Sequence, residues 1–201
     1  FNDPILESFV EEALINNKQI RAFQAKIETS NALVKKAASS LKPTIGLGGE
    51  YKKKETDYYD EIYSGGLTVS WEADVWGRLQ LGVSSQEQQA KALQSDYEFA
   101  RQVLVASTAK AWFMTTSAKL QMEYSSKTVN LFIKQLEIIE AKYRVGQVDK
   151  RSVYLSKANL SLVKNAFSKA KVAYEDSQRS LELLLGRYPS SIVEVTNKLS
   201  A

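Results

Sequence analysis

Between Gly82 and Gly146 lie 63 residues without a glycine or a proline. The two residues that most disrupt helices are missing from the whole stretch. A continuous helix there would reach roughly 95 Å at 1.5 Å per residue, far beyond the three turns usual in a globular domain. A shorter run free of both residues stands on each side, Ile5 to Lys42 and Gln147 to Leu185. Five of the nine glycines crowd into Gly46 to Gly66. The chain reads as one elongated unit over 1–201: a helix over 1–42, a hairpin over 43–77, a long helix over 78–145, a helix over 149–186 and a tail over 187–201. Asp3 suits an N-cap, with Pro4 at the first helical position.

The apolar residues of these helices recur at heptad spacing. In the first, Leu6, Ala13, Ile20, Ile27, Val34 and Leu41 form one row, and Phe9, Asn16, Phe23, Ser30 and Ala37 the next. In the last, Val153, Leu160, Phe167, Tyr174 and Leu181 stand beside Ser156, Val163, Ala170, Ser177 and Leu184. Both are a/d seams of a coiled coil. The long helix has Ala90, Tyr97, Leu104, Ala111 and Ala118, with Leu93, Ala100 and Met114 alongside. Beyond Ser125 the companions of Phe132 and Ile139 become Val129, Leu136 and Tyr143 on the opposite flank, so the helix is expected to change packing partners there. The two shorter helices together match the long one in length. The expected arrangement stacks them along one line with the long helix antiparallel to both. Periodicity alone is equally satisfied by a soluble coiled-coil scaffold, but such a bundle needs no glycine-rich insert.

In that insert the period becomes two. Ile45, Leu47, Gly49 and Tyr51 alternate with Thr44, Gly46, Gly48, Glu50 and Lys52; Tyr63, Gly65, Leu67, Val69 and Trp71 alternate with Ser64, Gly66, Thr68, Ser70 and Glu72. About 11 residues is what a tilted strand needs to cross a bilayer, apolar residues to lipid and polar ones to a wet lumen. Tyr51, Tyr58, Tyr59 and Tyr63 gather at the hairpin end, and Trp71 and Trp76 at the helix end, as two membrane interfaces would select. Two strands cannot close a barrel, so other copies or a further segment must complete it.

Composition narrows the function. There is no cysteine and no histidine, which removes thiol chemistry, thiolate metal sites and the commonest acid–base catalyst. No metal or cofactor is expected. The net charge of +4 and the single Lys52-Lys53-Lys54 run do not describe a nucleic-acid binder. Glu72 and Asp74, two apart, would project from one strand face, which leaves two readings: a carboxylate pair for acid–base work, or a structural junction in which one pairs with Arg78.

The stretch Ser70-Trp71-Glu72-Ala73-Asp74-Val75-Trp76-Gly77-Arg78-Leu79 resembles the S-W-E-x-D-x-W-G-R-L segment of TolC-like outer-membrane efflux proteins, especially the lipoprotein subgroup serving RND pumps. Tyr143-Arg144-Val145-Gly146 is similar to the family's Y-x-x-G turn, and Leu183-Leu184-Leu185-Gly186-Arg187-Tyr188-Pro189 to its repeat end. The resemblance spans nearly the whole chain. It implies a mainly α fold with a β-hairpin: long antiparallel coiled-coil helices of an α-barrel tunnel, plus two strands of an oligomeric transmembrane β-barrel. It implies the first repeat only, with a second following Ala201 and an export signal before Phe1. It implies a homotrimer, a periplasmic adaptor, an inner-membrane RND-type pump and outer-membrane lipid as partners. Glu72, Asp74, Gly77 and Arg78 become the barrel-to-helix junction. Arg144, Val145, Gly146, Gln147, Val148 and Asp149 become the tip that meets the adaptor. Where many relatives carry an aspartate six residues after the tip glycine, this chain has Ser152.

Overall fold

A computed structural model describes residues 4–55 and 59–195, with backbone alone for residues 54, 55, 59 and 60. Asp3 and the end of the tail, residues 196–201, lie outside the described residues. In chain order the elements are α1 (Pro4–Asn16), α2 (Lys18–Ser39), β1 (Thr44–Glu55), β2 (Tyr59–Ser70), α3 (Arg78–Arg144) and α4 (Lys150–Leu184). The single unit expected over 1–201 divides into two compact ones, Phe1–Arg21 with Phe99–Ala201, and Ala22–Glu98. Helices α2 and α3 contribute to both.

The expected first helix over 1–42 is two helices, parted at Asn17. The cause is a side chain that competes with the backbone. Asn17 Oδ1 accepts from the amides of Gln19 (2.9 Å) and Ile20 (3.3 Å), as an N-cap does. Its Nδ2 donates to the carbonyl of Leu184 at the end of α4 (3.0 Å). The Asn17 amide still donates to Ala13, and the Arg21 amide to the Asn17 carbonyl, so the interruption is one residue long.

In the first unit α3 and α4 run antiparallel. Thr115 Oγ1 donates to the Ser177 carbonyl (3.1 Å), and Lys157 pairs with Glu140 (3.0 Å) nearer the turn. The core combines Leu6, Phe9 and Ala13 of α1, Leu104 and Trp112 of α3, and Val153, Leu160 and Leu181 of α4. Each large apolar side chain so buried contributes about 1.5–3 kcal/mol. Met114, expected on the α3 seam, is 59% exposed, while Trp112 is fully buried. A straight helix drifts about 20° per heptad against a seven-residue row, so the three heptads from Leu93 carry Met114 off the stripe. The residues that replace it are Thr108, Thr115 and Thr116, all fully buried.

Past α4 the chain folds back on a carboxylate. Glu182 is buried, and its two oxygens accept from the amides of Ser190 (2.6 Å), Ser191 (2.8 Å), Ile192 (2.7 Å) and Val193 (3.0 Å). Burial pushes the Glu182 pKa up, but the four amide donors outweigh it and hold the group below its ordinary value. Gln178 Nε2 donates to the Val193 carbonyl (2.7 Å) and Lys119 to that of Val195 (2.8 Å), so Val193 and Val195 enter the core.

In the second unit Ile27 and Val34 of α2 are half-buried and Ser30 is buried, and Gln24 Nε2 donates to Tyr97 Oη of α3 (3.3 Å). Strands β1 and β2 form a two-stranded antiparallel sheet.

Candidate functional site

The register of the hairpin decides which residues share a face. Ile45 opposes Val69, Leu47 opposes Leu67, Gly49 opposes Gly65 and Tyr51 opposes Tyr63. Because side chains alternate, these pairs make one apolar face. Thr44–Ser70, Gly46–Thr68, Gly48–Gly66 and Glu50–Ser64 make the other. A slip of one residue would mix the two faces. The apolar face is bare: Leu47 is 85% exposed and Leu67 72%. Twelve residues per strand reach roughly 40 Å along the strand, and about 28 Å of depth at a tilt near 45°, enough for a hydrocarbon layer.

At the hairpin end the Tyr51 and Tyr63 rings lie 5.0 Å apart, centroid to centroid. Tyr58 lies outside the described residues, as does the side chain of Tyr59. At the helix end Trp71 and Trp76 are both exposed. The Trp71 indole N–H donates to the Leu41 carbonyl (3.2 Å), which ties the exit of β2 to the entry of β1.

Strand β2 stops at Ser70, so Glu72 and Asp74 do not share a strand face as the alternation predicts. They lie in the turn leading to α3, with separate tasks. Glu72 accepts both of its hydrogen bonds from Arg78 Nη2 (2.7 and 2.9 Å). Asp74 caps α3: Oδ1 accepts from the Leu79 amide (3.1 Å) and Oδ2 from that of Gln80 (2.8 Å). Desolvation pushes the Asp74 pKa up, but the amides of Gln80, Leu79 and Arg78 and the Arg78 charge outweigh it, and the group stays ionised. Gly77, at φ +69°, supplies the left-handed step the turn requires. The carboxylate pair is therefore divided between an ion pair and a helix cap.

The tip is built from two complementary end motifs. Past Arg144, the amide of Gly146 donates to Tyr143 (3.0 Å) and that of Gln147 to Lys142 (2.9 Å), with Gly146 at φ +73°. This is a Schellman motif, which satisfies the last carbonyls of α3. Asp149 then caps α4, accepting from the Ser152 amide (2.8 Å) and hydroxyl (2.6 Å). Those bonds, the hydroxyl's foremost, hold its carboxyl below the usual range. Val145 is 69% exposed and Val148 is half-buried. Ser152, at the position of the family's aspartate, is thus engaged with Asp149.

Sequence reasoning missed a third locus. Helix α4 ends in the same motif at Gly186 (φ +76°), with Gly186 donating to Leu183 and Arg187 to Glu182. A Cβ at Gly186 would overlap the carbonyl oxygen of Asn16 and stand 2.9 Å from its carbon. Arg187 grips the Glu12 carboxylate through Nε and Nη2. The repeat-end sequence was a visible signal, but its target on α1 was not.

No described helix is long and apolar enough to cross a membrane. A bare amphipathic hairpin, followed by a capped turn and a long antiparallel helix pair, defines the class of channel proteins that pair a β-barrel with a helical tunnel. The model of the outer membrane efflux protein family matches residues 9–187, and the chain belongs to that family. Among curated relatives, the cation efflux system protein CusC of Escherichia coli K12 is 21% identical over 192 residues, covering 94% of this chain and 42% of CusC. The toluene efflux pump outer membrane protein TtgF of Pseudomonas putida is 24% identical over 197 residues, covering 92% and 41%. The Campylobacter jejuni CmeC outer membrane channel superposes with a TM-score of 0.82 at 23% identity, over 92% of this chain and 42% of that one. VceC of Vibrio cholerae gives 0.81 at 18%, over 100% and 52%. Likenesses at this identity carry the fold. The chain spans less than half the length of the curated relatives it matches. The family consists of channel proteins and not enzymes, and its place is the outer membrane.

Proposed function

We propose that this chain is one helix–hairpin–helix repeat of a passive export duct in the outer membrane. Its two strands serve as staves of an oligomeric β-barrel, and its helices as walls of a tunnel in the periplasm. It performs no chemistry; an inner-membrane pump of the RND type supplies the energy, and an adaptor docks on the turn from Arg144 to Asp149. Exposed Val145 offers that adaptor an apolar foothold. A homotrimer of a longer protein with a second such repeat supplies the remaining strands. The observation that carries the reading is the register, which collects Ile45, Leu47, Leu67 and Val69 on one bare face and the hydroxyls of Thr44, Ser64, Thr68 and Ser70 on the other. A soluble scaffold has no use for that separation.

The chain lacks cysteine, so single cysteines can be placed along the hairpin and spin-labelled in outer membranes. Labels at residues 45, 47, 67 and 69 should be reached by oxygen dissolved in lipid. Those at 44, 64, 68 and 70 should be reached by a water-soluble relaxant. Uniform water access at all eight positions would sink the duct and favour the scaffold.

A further inference from the structure

We infer that Lys42 sets the ion preference of this duct, as an anion-attracting site at the base of the barrel. The inference rests on the channel reading above and goes beyond it. Where the first strand begins, a groove of about 500 Å³ is lined by Ser40, Lys42, Thr44, Ser70, Trp71 and Glu72 among others. Thr44 and Ser70 are opposed in register and belong to the polar face of the hairpin, the face that turns to water in the proposed barrel. Lys42 thus lines the groove together with three hydroxyl-bearing residues, Ser40, Thr44 and Ser70.

The charges around the groove do not cancel Lys42. Among the described residues Glu72 is the only carboxylate lining it, and both of that residue's hydrogen bonds come from Arg78. Asp74 turns its oxygens to the first amides of α3. Further along the polar face Lys52 pairs with Glu50 (2.7 Å). Among the described residues Lys42 has no carboxylate partner. A ring of such lysines, one from each copy, is the arrangement by which pores favour anions. Its reach is set by the Debye length, about 10 Å at 0.1 M salt and about 3 Å at 1 M.

The test is reversal potential in planar bilayers holding channels purified from outer membranes, under a potassium chloride gradient. At 0.1 M salt, Lys42→Met should lower the chloride-to-potassium permeability ratio by about two-fold or more, and Lys42→Glu should invert the preference. Lys42→Arg should keep the original ratio, because the charge stays. At 1 M salt the differences should vanish, which a mere change of pore shape would not do. Lys42→Glu channels that conduct with an unaltered ratio at 0.1 M would overturn the role of Lys42 and leave the duct standing. Correctly assembled protein that never conducts would overturn both.

Discussion

Replacing Gly186 by alanine, beside the same change at Gly146, separates backbone strain from crowding. Both glycines close Schellman motifs at nearly the same φ, +76° and +73°. A side chain in the left-handed region costs about 1–2 kcal/mol at either site. At Gly146 nothing lies within 4 Å of the added Cβ, so that cost is the whole effect. At Gly186 the Cβ meets the backbone of Asn16, which cannot rotate away as a side chain can. Overpacking of this sort adds about 1–3 kcal/mol, for a total of roughly 2–5 kcal/mol. The displacement would also pull on the Asn17–Leu184 hydrogen bond and the Arg187–Glu12 pair. For a chain of this size each kcal/mol moves Tm by about 3 °C. Thermal melts of the detergent-extracted protein, followed by circular dichroism, should drop by about 3–6 °C for Gly146→Ala and about 6–15 °C for Gly186→Ala. Equal drops would refute the argument, since they would leave no term for the contact with Asn16.

Glu182→Gln removes the charge that four amides converge on and should cost about 1.5–3 kcal/mol, read as faster hydrogen exchange at residues 190–193. The folded-state pKa of Glu182 is depressed, so its stabilisation is complete above the ordinary glutamate value of 4.5 and is lost as pH falls through the lower folded one. Protection factors at those amides, corrected for the pH dependence of intrinsic exchange, should therefore fall on acidification below pH 4.5 in the unaltered protein and change less in the variant. Asp149→Ala should speed exchange in the first turn of α4 roughly five-fold, through loss of the cap to Ser152, with the rest of the helix unchanged. Leu47→Arg, on the apolar face, should cost about 2–4 kcal/mol in a urea titration of protein in lipid vesicles, and Thr68→Arg, on the polar face, much less.

The helices and the hairpin were legible because each is a matter of local period: no breaker from 83 to 145, and alternation through Ile45–Tyr51 and Tyr63–Val69. The two faces of the hairpin followed once antiparallel register was assumed. What stayed hidden depends on groups far apart in the chain. Asn17 carries no mark of a helix break until the carbonyl of Leu184, 167 residues away, is placed beside it. Nothing in the sequence singles out Glu182, because its partners are backbone amides, which every sequence has. The junction carboxylates were misjudged by extending the strand period past Ser70, where the turn around Gly77 changes what each residue faces. The threonines of α3 were passed over because the seam was sought at strict seven-residue spacing from Ala90 and Leu93, and Thr108, Thr115 and Thr116 fall outside both rows.

In the duct proposed above, the edges of the hairpin set the order in which its membrane form can arise. Each strand is paired on one side, so its outer edge presents roughly six amide N–H groups and six carbonyls with no ladder partner among the described residues. In hydrocarbon every such group costs several kcal/mol. A solitary copy is barred from oil by its own backbone, however apolar Leu47 and Leu67 are. Recruitment of neighbours and entry into the bilayer must then be one step, and its rate should climb steeply with how many copies are present.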